Sequence, residues 1–392
     1  MPLSPRKTTA TLLLALALTA APTAHAEHAA DPTGVRPPAG PAGRAVPGEY
    51  IVTLRPGRSP AEVLRALGIT PRFTYGSVLN GFAAVLDPLL LRAVRADPAV
   101  RAVEENTTLH VDTRAAVAPA ATWGLDRLDQ RALPLDGAFT TRGDGAGATA
   151  YVLDTGIDFA HEEFGSRAVP GFDAVGDGRE GRDCQGHGTH VAGTVAGRDH
   201  GVAPQARVVA VRTLDCSGNG DKAQMIAGLD WVAREARRPA VLNASVGEER
   251  SQALDDAVDA LYAHDVLPVV SAGNDTADAC TASPASAERA VTVAASDRQD
   301  RVSSFSNWGP CVTLYAPGSA IESAKTGGGS TTLSGTSMAA PHVTGAAALY
   351  LAEHPRAHPA EVAAFLTRAA TTDALTGVRE GTPNRLLFTD GL

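Results

Sequence analysis

The chain has 392 residues, 44% hydrophobic and 20% charged, an ordinary balance for a folded protein that excludes long disorder and leaves room for two or three domains. Its net charge is −9 and lysine occurs only at 7, 222 and 325, which argues against nucleic acid as a partner. No apolar run reaches the roughly 20 residues of a membrane span, so no membrane anchor is expected.

In chain order, Arg6 and Lys7 precede an apolar run over 11–21 and the small-x-small triplet Ala24-His25-Ala26, the pattern of a secretory signal peptide over 1–26. The protein is therefore expected to be secreted and extracellular. Export puts Cys184, Cys216, Cys280 and Cys311 in an oxidising compartment, and their even number suggests disulfides. No CxxC or paired Cys/His spacing suggests zinc, and the residues alone leave three connectivities open.

Residues 27–46 are rich in Pro, Ala and Gly and read as a lead-in. A strand at 49–54, a helix at 59–67 started by Ser59-Pro60, a strand at 80–86, a helix at 88–96 and a strand at 100–104 follow. They make a small α+β domain over about 49–111, while 114–122 reads as an exposed linker. Beyond Trp123, apolar runs at 149–153, 207–211, 240–242, 266–270 and 290–294 alternate with helical segments such as 221–237 and 254–264. This is an α/β pattern, a parallel sheet with helices on both faces, whose site should lie beyond the carboxyl ends of the strands. The charge divides unevenly: 27–115 carries +1 and 116–392 carries −12.

Three segments carry chemistry. Val152-Leu153-Asp154-Thr155-Gly156 puts an acid at the end of an apolar strand, and Gly186-His187-Gly188-Thr189-His190 opens a helix of small residues. Gly335-Thr336-Ser337-Met338-Ala339-Ala340-Pro341-His342 puts a serine at the start of a long small-residue helix. Each alone has a plain reading as a cap or a turn. Together they supply a nucleophile, a base that works near neutral pH and an acid to hold the base in one tautomer. The order Asp…His…Ser differs from the His…Asp…Ser of chymotrypsin-like enzymes and the Ser…Asp…His of α/β-hydrolases. The second glycine of GxSxG is also absent, which counts against a secreted esterase or lipase.

These segments resemble those of the subtilisin family of serine proteases, above all its proteinase K-like and aqualysin-like branch, from Trp123-Gly124-Leu125-Asp126-Arg127 to Pro383-Asn384-Arg385. The resemblance implies a subtilisin-like α/β peptidase domain over 116–392 and a triad of Asp154, His187 and Ser337. It implies that Asn274, in Val270-Ser271-Ala272-Gly273-Asn274, donates to the oxyanion together with the Ser337 backbone N–H. Ser245-Val246-Gly247 and Ser271-Ala272-Gly273 then wall the substrate pocket, and Gly218-Asn219-Gly220 pairs with an extended substrate. Glu248 and Glu249 depart from the glycines usual there and leave the fine specificity open. The disulfides implied are Cys184–Cys216 and Cys280–Cys311.

Residues 49–111 resemble the inhibitor-type propeptides (I9) of the same family, through Tyr50-Ile51-Val52, Gly81-Phe82-Ala83 and Val103-Glu104. A propeptide over 27–115 is thus expected to act as an intramolecular inhibitor, with its tail after Val111 along the cleft and a self-cut near Ala115–Ala116. No cofactor is expected for catalysis. The metal question stays open: Asp126, Asp129, Gln130 and Asp136 stand where some relatives hold a structural calcium, whereas Thr313 replaces the liganding Asp of a second site. The expected partners are protein and peptide substrates and the chain's own propeptide, in a monomer.

Overall fold

The computed structural model describes residues 43–111, the backbone of 114–115, and 123–392. The candidate signal peptide and most of the 114–122 linker lie outside the described residues.

The N-terminal unit is an antiparallel sheet carrying two helices. Strand β1 (Ala45–Leu54) pairs with β3 (Gly81–Val85) on one side and β4 (Val100–His110) on the other, and β2 (Phe73–Tyr75) flanks β3. Pro60 starts α1 (Pro60–Leu67), and the Asp87 carboxylate caps α2 (Pro88–Ala96). Strand alternation splits the sheet's side chains between two layers. Val52, Phe82 and Ala84 pack with Val63, Leu64 and Val94 of the unit's own helices. Ile51, Tyr75, Ala83 and Leu109 point the other way, into a cluster that holds Ile226 and Leu254 of the larger domain. The small unit thus completes its core only against its neighbour, as its size requires. The predicted elements are all present; β2 is too short to show a period, and β4 runs on past 104 to His110.

The larger domain opens with the short turn α3 (Trp123–Asp126) and is built on a nine-stranded sheet of order β18-β19-β15-β14-β12-β10-β6-β8-β7. Parallel pairs join β6 (Thr149–Asp154), β7 (Ala168–Asp173), β8 (Arg207–Arg212), β10 (Ala240–Ala244), β12 (Val266–Ser271), β14 (Val291–Ser296) and β15 (Leu314–Pro317). Only β18 (Thr371–Thr372) runs antiparallel, against β19 (Arg385–Leu386). Along β6, Ala150 and Val152 face a core shared with α4 (His187–Ala196), α7 (Thr336–Glu353) and α8 (Pro359–Ala369). Tyr151 and Leu153 face the cluster of α5 (Lys222–Glu235) and α6 (Gln252–Ala260). Helices therefore cover both faces, as the near-continuous apolar strands require. Cys184–Cys216 and Cys280–Cys311 are bonded, with Cα separations of 4.9 and 5.3 Å, and these are the pairs the resemblance implies.

Two edges of this domain accept the preceding chain. Strand β9 (Asn219–Asp221) pairs antiparallel with the end of β4, so the N-terminal sheet is extended to five strands by a strand of the larger domain. In the hairpin of β16 (Ile321–Ala324) and β17 (Ser330–Ser334), β17 also takes up β5 (Arg114–Ala115), so the predicted linker begins as a strand.

Polar contacts across the interface are specific. Asp230 Oδ1 accepts from the backbone N–H groups of Gly76, Ser77 and Val78 at 3.0, 2.6 and 3.1 Å. Asn106 Oδ1 accepts from Ala223 at the start of α5, and Glu104 accepts from Ser251 and Ala253 at the start of α6, so the small unit caps both helices. Arg72 joins Glu49 of its own unit to Asp221 of the other. Glu248, in β11 (Glu248–Glu249) beside β13 (Ala282–Ser283), is not at an exposed rim but buried under β4, where Oε2 accepts from the Thr107 hydroxyl at 2.6 Å and Oε1 has no partner. Burial pushes its carboxyl up to about 7, against the opposing charge of Lys222. A carboxyl raised in the folded state contributes stability at low pH and loses it as pH rises through the folded value. In the Ser337→Ala chain, Glu248→Gln should gain stability relative to its parent between pH 5 and 8. Urea unfolding at the two pH values should read a gain on the order of 2–3 kcal/mol.

Candidate active site

Strands β6, β10 and β12 are neighbours, and Leu153 lies level with Ala244, which lies level with Val270. The next residues along these strands, Asp154, Ser245 and Ser271, therefore stand side by side at the carboxyl edge of the sheet. Helix α4 starts at His187 and α7 just before Ser337, so the motif segments converge where such sheets place their sites.

Asp154 is fully buried, and its carboxylate accepts from Thr155 N at 2.7 Å and meets His187 Nδ1 at 2.7 and 2.9 Å. That pairing places the imidazole proton on Nδ1 and leaves the lone pair on Nε2, a buried atom with no hydrogen-bond partner. The histidine can come this close because residue 188 is glycine: a Cβ there would stand 2.2 Å from Gly156 O. Thr155 then ties the two segments, its hydroxyl accepting from Gly188 N and donating to Asp183. Asp183 in turn accepts from the backbone and hydroxyl of Thr189. Behind the strand end, the fully buried Arg212 donates to Thr155 O and to Asp173 and Asp177. Asp183 and Arg212 lie outside the motif segments and Thr155, inside one, has no role assigned from sequence, so sequence reasoning missed the part of all three.

Ser337 is held twice by Ser245. Its hydroxyl donates to Ser245 O at 3.2 Å, and the Ser245 hydroxyl donates to Ser337 O at 2.9 Å. Pro341 explains the second bond: it has no N–H for the carbonyl four residues back, so the Ser337 carbonyl is left for the strand. Thr336, also missed in the sequence, joins the helix to the neighbouring loop. Its backbone N–H and hydroxyl both donate to Asn274 Oδ1, at 2.8 and 2.9 Å, and its hydroxyl accepts from Gly273 N. Asn274 is thereby turned with its Oδ1 toward the start of α7. Gly273 has φ +101°, and a Cβ there would meet Asn307 Nδ2 at 2.3 Å.

The remaining histidines of the motifs are structural. Burial lowers His190 to about 3 and His342 to about 4, and both keep to backbone carbonyls, of Ile321 and Thr331 and of Met338. Neutral and enclosed, they differ from His187, whose Nδ1 meets Asp154 and whose Nε2 has no partner.

Of the residues assigned to substrate binding, Gly218, Asn219, Gly220 and Gly247 border a chain already in place. Val111 N donates to Gly218 O at 3.0 Å, Leu109 and His110 pair with Gly220 and Asn219, and His110 bridges Gly247. Leu109 is buried in the cluster that holds Leu214 and Val246. Strand addition of this kind relies on main-chain bonds and tolerates many sequences.

Among the described residues no group of three or more His, Cys, Asp or Glu is arranged to hold a metal. In the 126–136 loop, however, Asp126 Oδ1 and Asp129 Oδ1 are buried without partners, and burial, with the charges of Asp136 and Asp126, raises the Asp129 carboxyl. Two orphaned carboxylate oxygens suit a hard cation completed by amide and carbonyl oxygens. At the other position, the Thr313 hydroxyl accepts from Thr292 N.

Residues 145–388 match the subtilase family and residues 68–112 match the peptidase inhibitor I9 family. An extracellular serine proteinase of Thermus sp. (strain Rt41A) is 43% identical, over 88% of this chain and 90% of its own length. Alkaline serine exoprotease A of Vibrio alginolyticus is 48% identical over 79% of this chain, which spans 58% of that relative. A solved cold-adapted subtilisin-like serine proteinase superposes with a TM-score of 0.68 at 50% identity, covering 69% of this chain and 98% of its own. With the subtilase match extending over most of the chain and an inhibitor-type propeptide before it, the chain belongs to the subtilase family of serine proteases.

Proposed function

We propose that this chain is a secreted serine endopeptidase that hydrolyses peptide bonds in proteins through an acyl-enzyme, and that residues 27–115 hold it inactive until it cuts itself. The observation that carries the reading is the buried Asp154–His187 pair, whose unpartnered Nε2 lies at the strand edge that also holds Ser337. Rotation of the Ser337 hydroxyl from Ser245 O to Nε2 would give His187 the proton it removes; such bonds often form only with substrate in place. Asp154 holds the tautomer and stabilises the imidazolium. The Asn274 amide, the Ser337 N–H and the positive end of α7 then meet the charge that develops on the attacked oxygen. His187 returns the proton to the leaving amine, and water enters by the same route in reverse. No cofactor takes part.

The chain is paired on both sides of Ser337, with β9 up to Val111 and with β17 from Arg114. A cleft open at both ends supports cutting within chains rather than at their termini. Gly218, Asn219, Gly220 and Gly247 would pair with the substrate backbone, and Ser245, Val246, Ser271, Ala272 and Gly273 would wall the pocket for its side chain. The same pairing supports the prosegment as inhibitor, because it occupies the edges a substrate needs. Two disulfides support an oxidising, extracellular destination, and no helix among the described residues is long and apolar enough to cross a membrane. The enzyme works as a monomer. A structural calcium, where bound, would take Asp126 and Asp129, with Gln130 and Asp136 close by.

Ser337→Ala should fold and lose peptidase activity; undiminished casein hydrolysis would remove the assignment. Asn274→Ala should lower kcat by ~10²–10³ with a smaller change in KM, the size measured for the corresponding donor in subtilisin itself. Ser245→Ala loses the bond that fixes the Ser337 carbonyl and should slow fluorophosphonate labelling of Ser337 about tenfold, leaving KM for a peptide nearly unchanged. Calcium at 100 times its Kd should stabilise the Ser337→Ala chain by about 2.7 kcal/mol over an EDTA-treated sample, and Asp129→Asn should erase most of that difference.

A further inference from the structure

Strand β4 shows what an extended chain meets along the β9 edge. Side chains alternate along a strand, so Leu109 and Thr107 point to the same side. Leu109 is buried in the apolar cluster that holds Leu214 and Val246. Two residues on from Val246 stands Glu248, and two residues back from Leu109 stands Thr107. These two side chains meet, Thr107 Oγ1 donating to Glu248 Oε2 at 2.6 Å. Gly247, between Val246 and Glu248, bridges the backbone at His110. The cluster asks the paired strand for an apolar side chain, and Glu248 asks it for a donor.

Thr107 answers only half of that demand. Glu248 is 8% exposed, and its Oε1 has no partner. A hydroxyl brings one proton and no charge, whereas an ammonium or a guanidinium brings several protons and a full charge. The body does not make up the difference. Lys222 Nζ turns to Glu105 O at 3.2 Å and lies 3.9 Å from Glu104, both of the prosegment. The charge of Asp221 works against that of Lys222 at Glu248, and the Arg72 that pairs with Asp221 belongs to the prosegment. With a substrate strand in place of the prosegment, the groove keeps Lys222 against Asp221, Glu248 and Glu249. Its field is negative.

We propose that Glu248 gives the peptidase a preference for protein segments with a basic residue two positions upstream of the apolar side chain that takes the place of Leu109. Lys and Arg rank above Ser and Thr there, and Asp and Glu are rejected. This rests on the peptidase proposed above, with a substrate strand adding to β9 as β4 does. A cationic side chain brings Oε1 the donor it lacks, and the flexible stems of both partners let the pair meet although Lys and Arg are longer than Thr. An acid in the same place would set two carboxylates side by side in a partly desolvated groove, and one of them would have to take up a proton. The prosegment's neutral Thr107 keeps the register with one hydrogen bond and leaves Oε1 unsatisfied, a weaker dock than a basic residue would make.

The test uses enzyme matured from the full-length chain and a degenerate peptide mixture, with the cut sites read by mass spectrometry. The apolar preference supplies the register. Two positions further from the cut, the wild type should enrich Lys and Arg and deplete Asp and Glu. Matched peptides that differ only by Lys or Glu at that position should differ roughly tenfold in kcat/KM. The difference should lie mostly in KM, because the contact is the same in substrate and transition state. In Glu248→Gln the ratio should fall to about twofold. A second reading needs no variant: raising salt from about 0.1 M to about 1 M should narrow the wild-type ratio and leave the apolar preference standing. Equal rates for the Lys and Glu peptides, or a ratio that survives both the substitution and the salt, overturn the role of Glu248 while leaving the peptidase intact. An enzyme that cuts no peptide although a fluorophosphonate labels Ser337 overturns the peptidase, and this preference with it.

Discussion

A carboxylate cannot be buried alone. Asp154 has no exposed surface, and the site around it is organised by the need to satisfy its charge. One bond comes from the next backbone N–H, and the other from an imidazole that must approach within hydrogen-bond distance of a strand end. That approach demands a glycine after His187, a fixed α4 start and a stiff loop after β6; Asp183, Thr155 and Arg212 supply the last two. The interior arrangement thus constrains several residues that never touch a reacting atom.

The three motif segments that meet at the carboxyl edge of the sheet were legible in the sequence because each is local: an acid closing an apolar run, a histidine and a serine opening runs of small residues. The sheet was legible for the same reason, since strands buried on both faces write themselves as continuous Val, Leu and Ala. What could not be read is pairing between distant segments. The resemblance marks Gly218-Asn219-Gly220 as an edge for an extended chain but does not mark β4 as its partner, and nothing near Arg114 marks a strand, because β5 exists only on β17. Glu248 was singled out as an oddity of composition, but its burial beneath Thr107 depends on a residue 141 positions away.

Charges of +1 and −12 would favour attraction between prosegment and body, yet the interface is not a meeting of opposite fields. Prosegment acids serve as well as its bases: Glu104 caps α6 and Glu49 steadies Arg72, while Asp230 binds three uncharged N–H groups. Directional bonds at helix starts and turns specify the fit. Apolar residues such as Ile51 and Leu109 supply the area.

Proline 341 shows how far local order can run against purpose. Any residue with an N–H at that position would complete the ladder of α7 and compete with Ser245 for the Ser337 carbonyl. The more regular helix would then tug the Ser337 backbone toward its own axis and away from the sheet. Here a gap in the secondary structure is what couples two layers of the fold, and the defect is a joint.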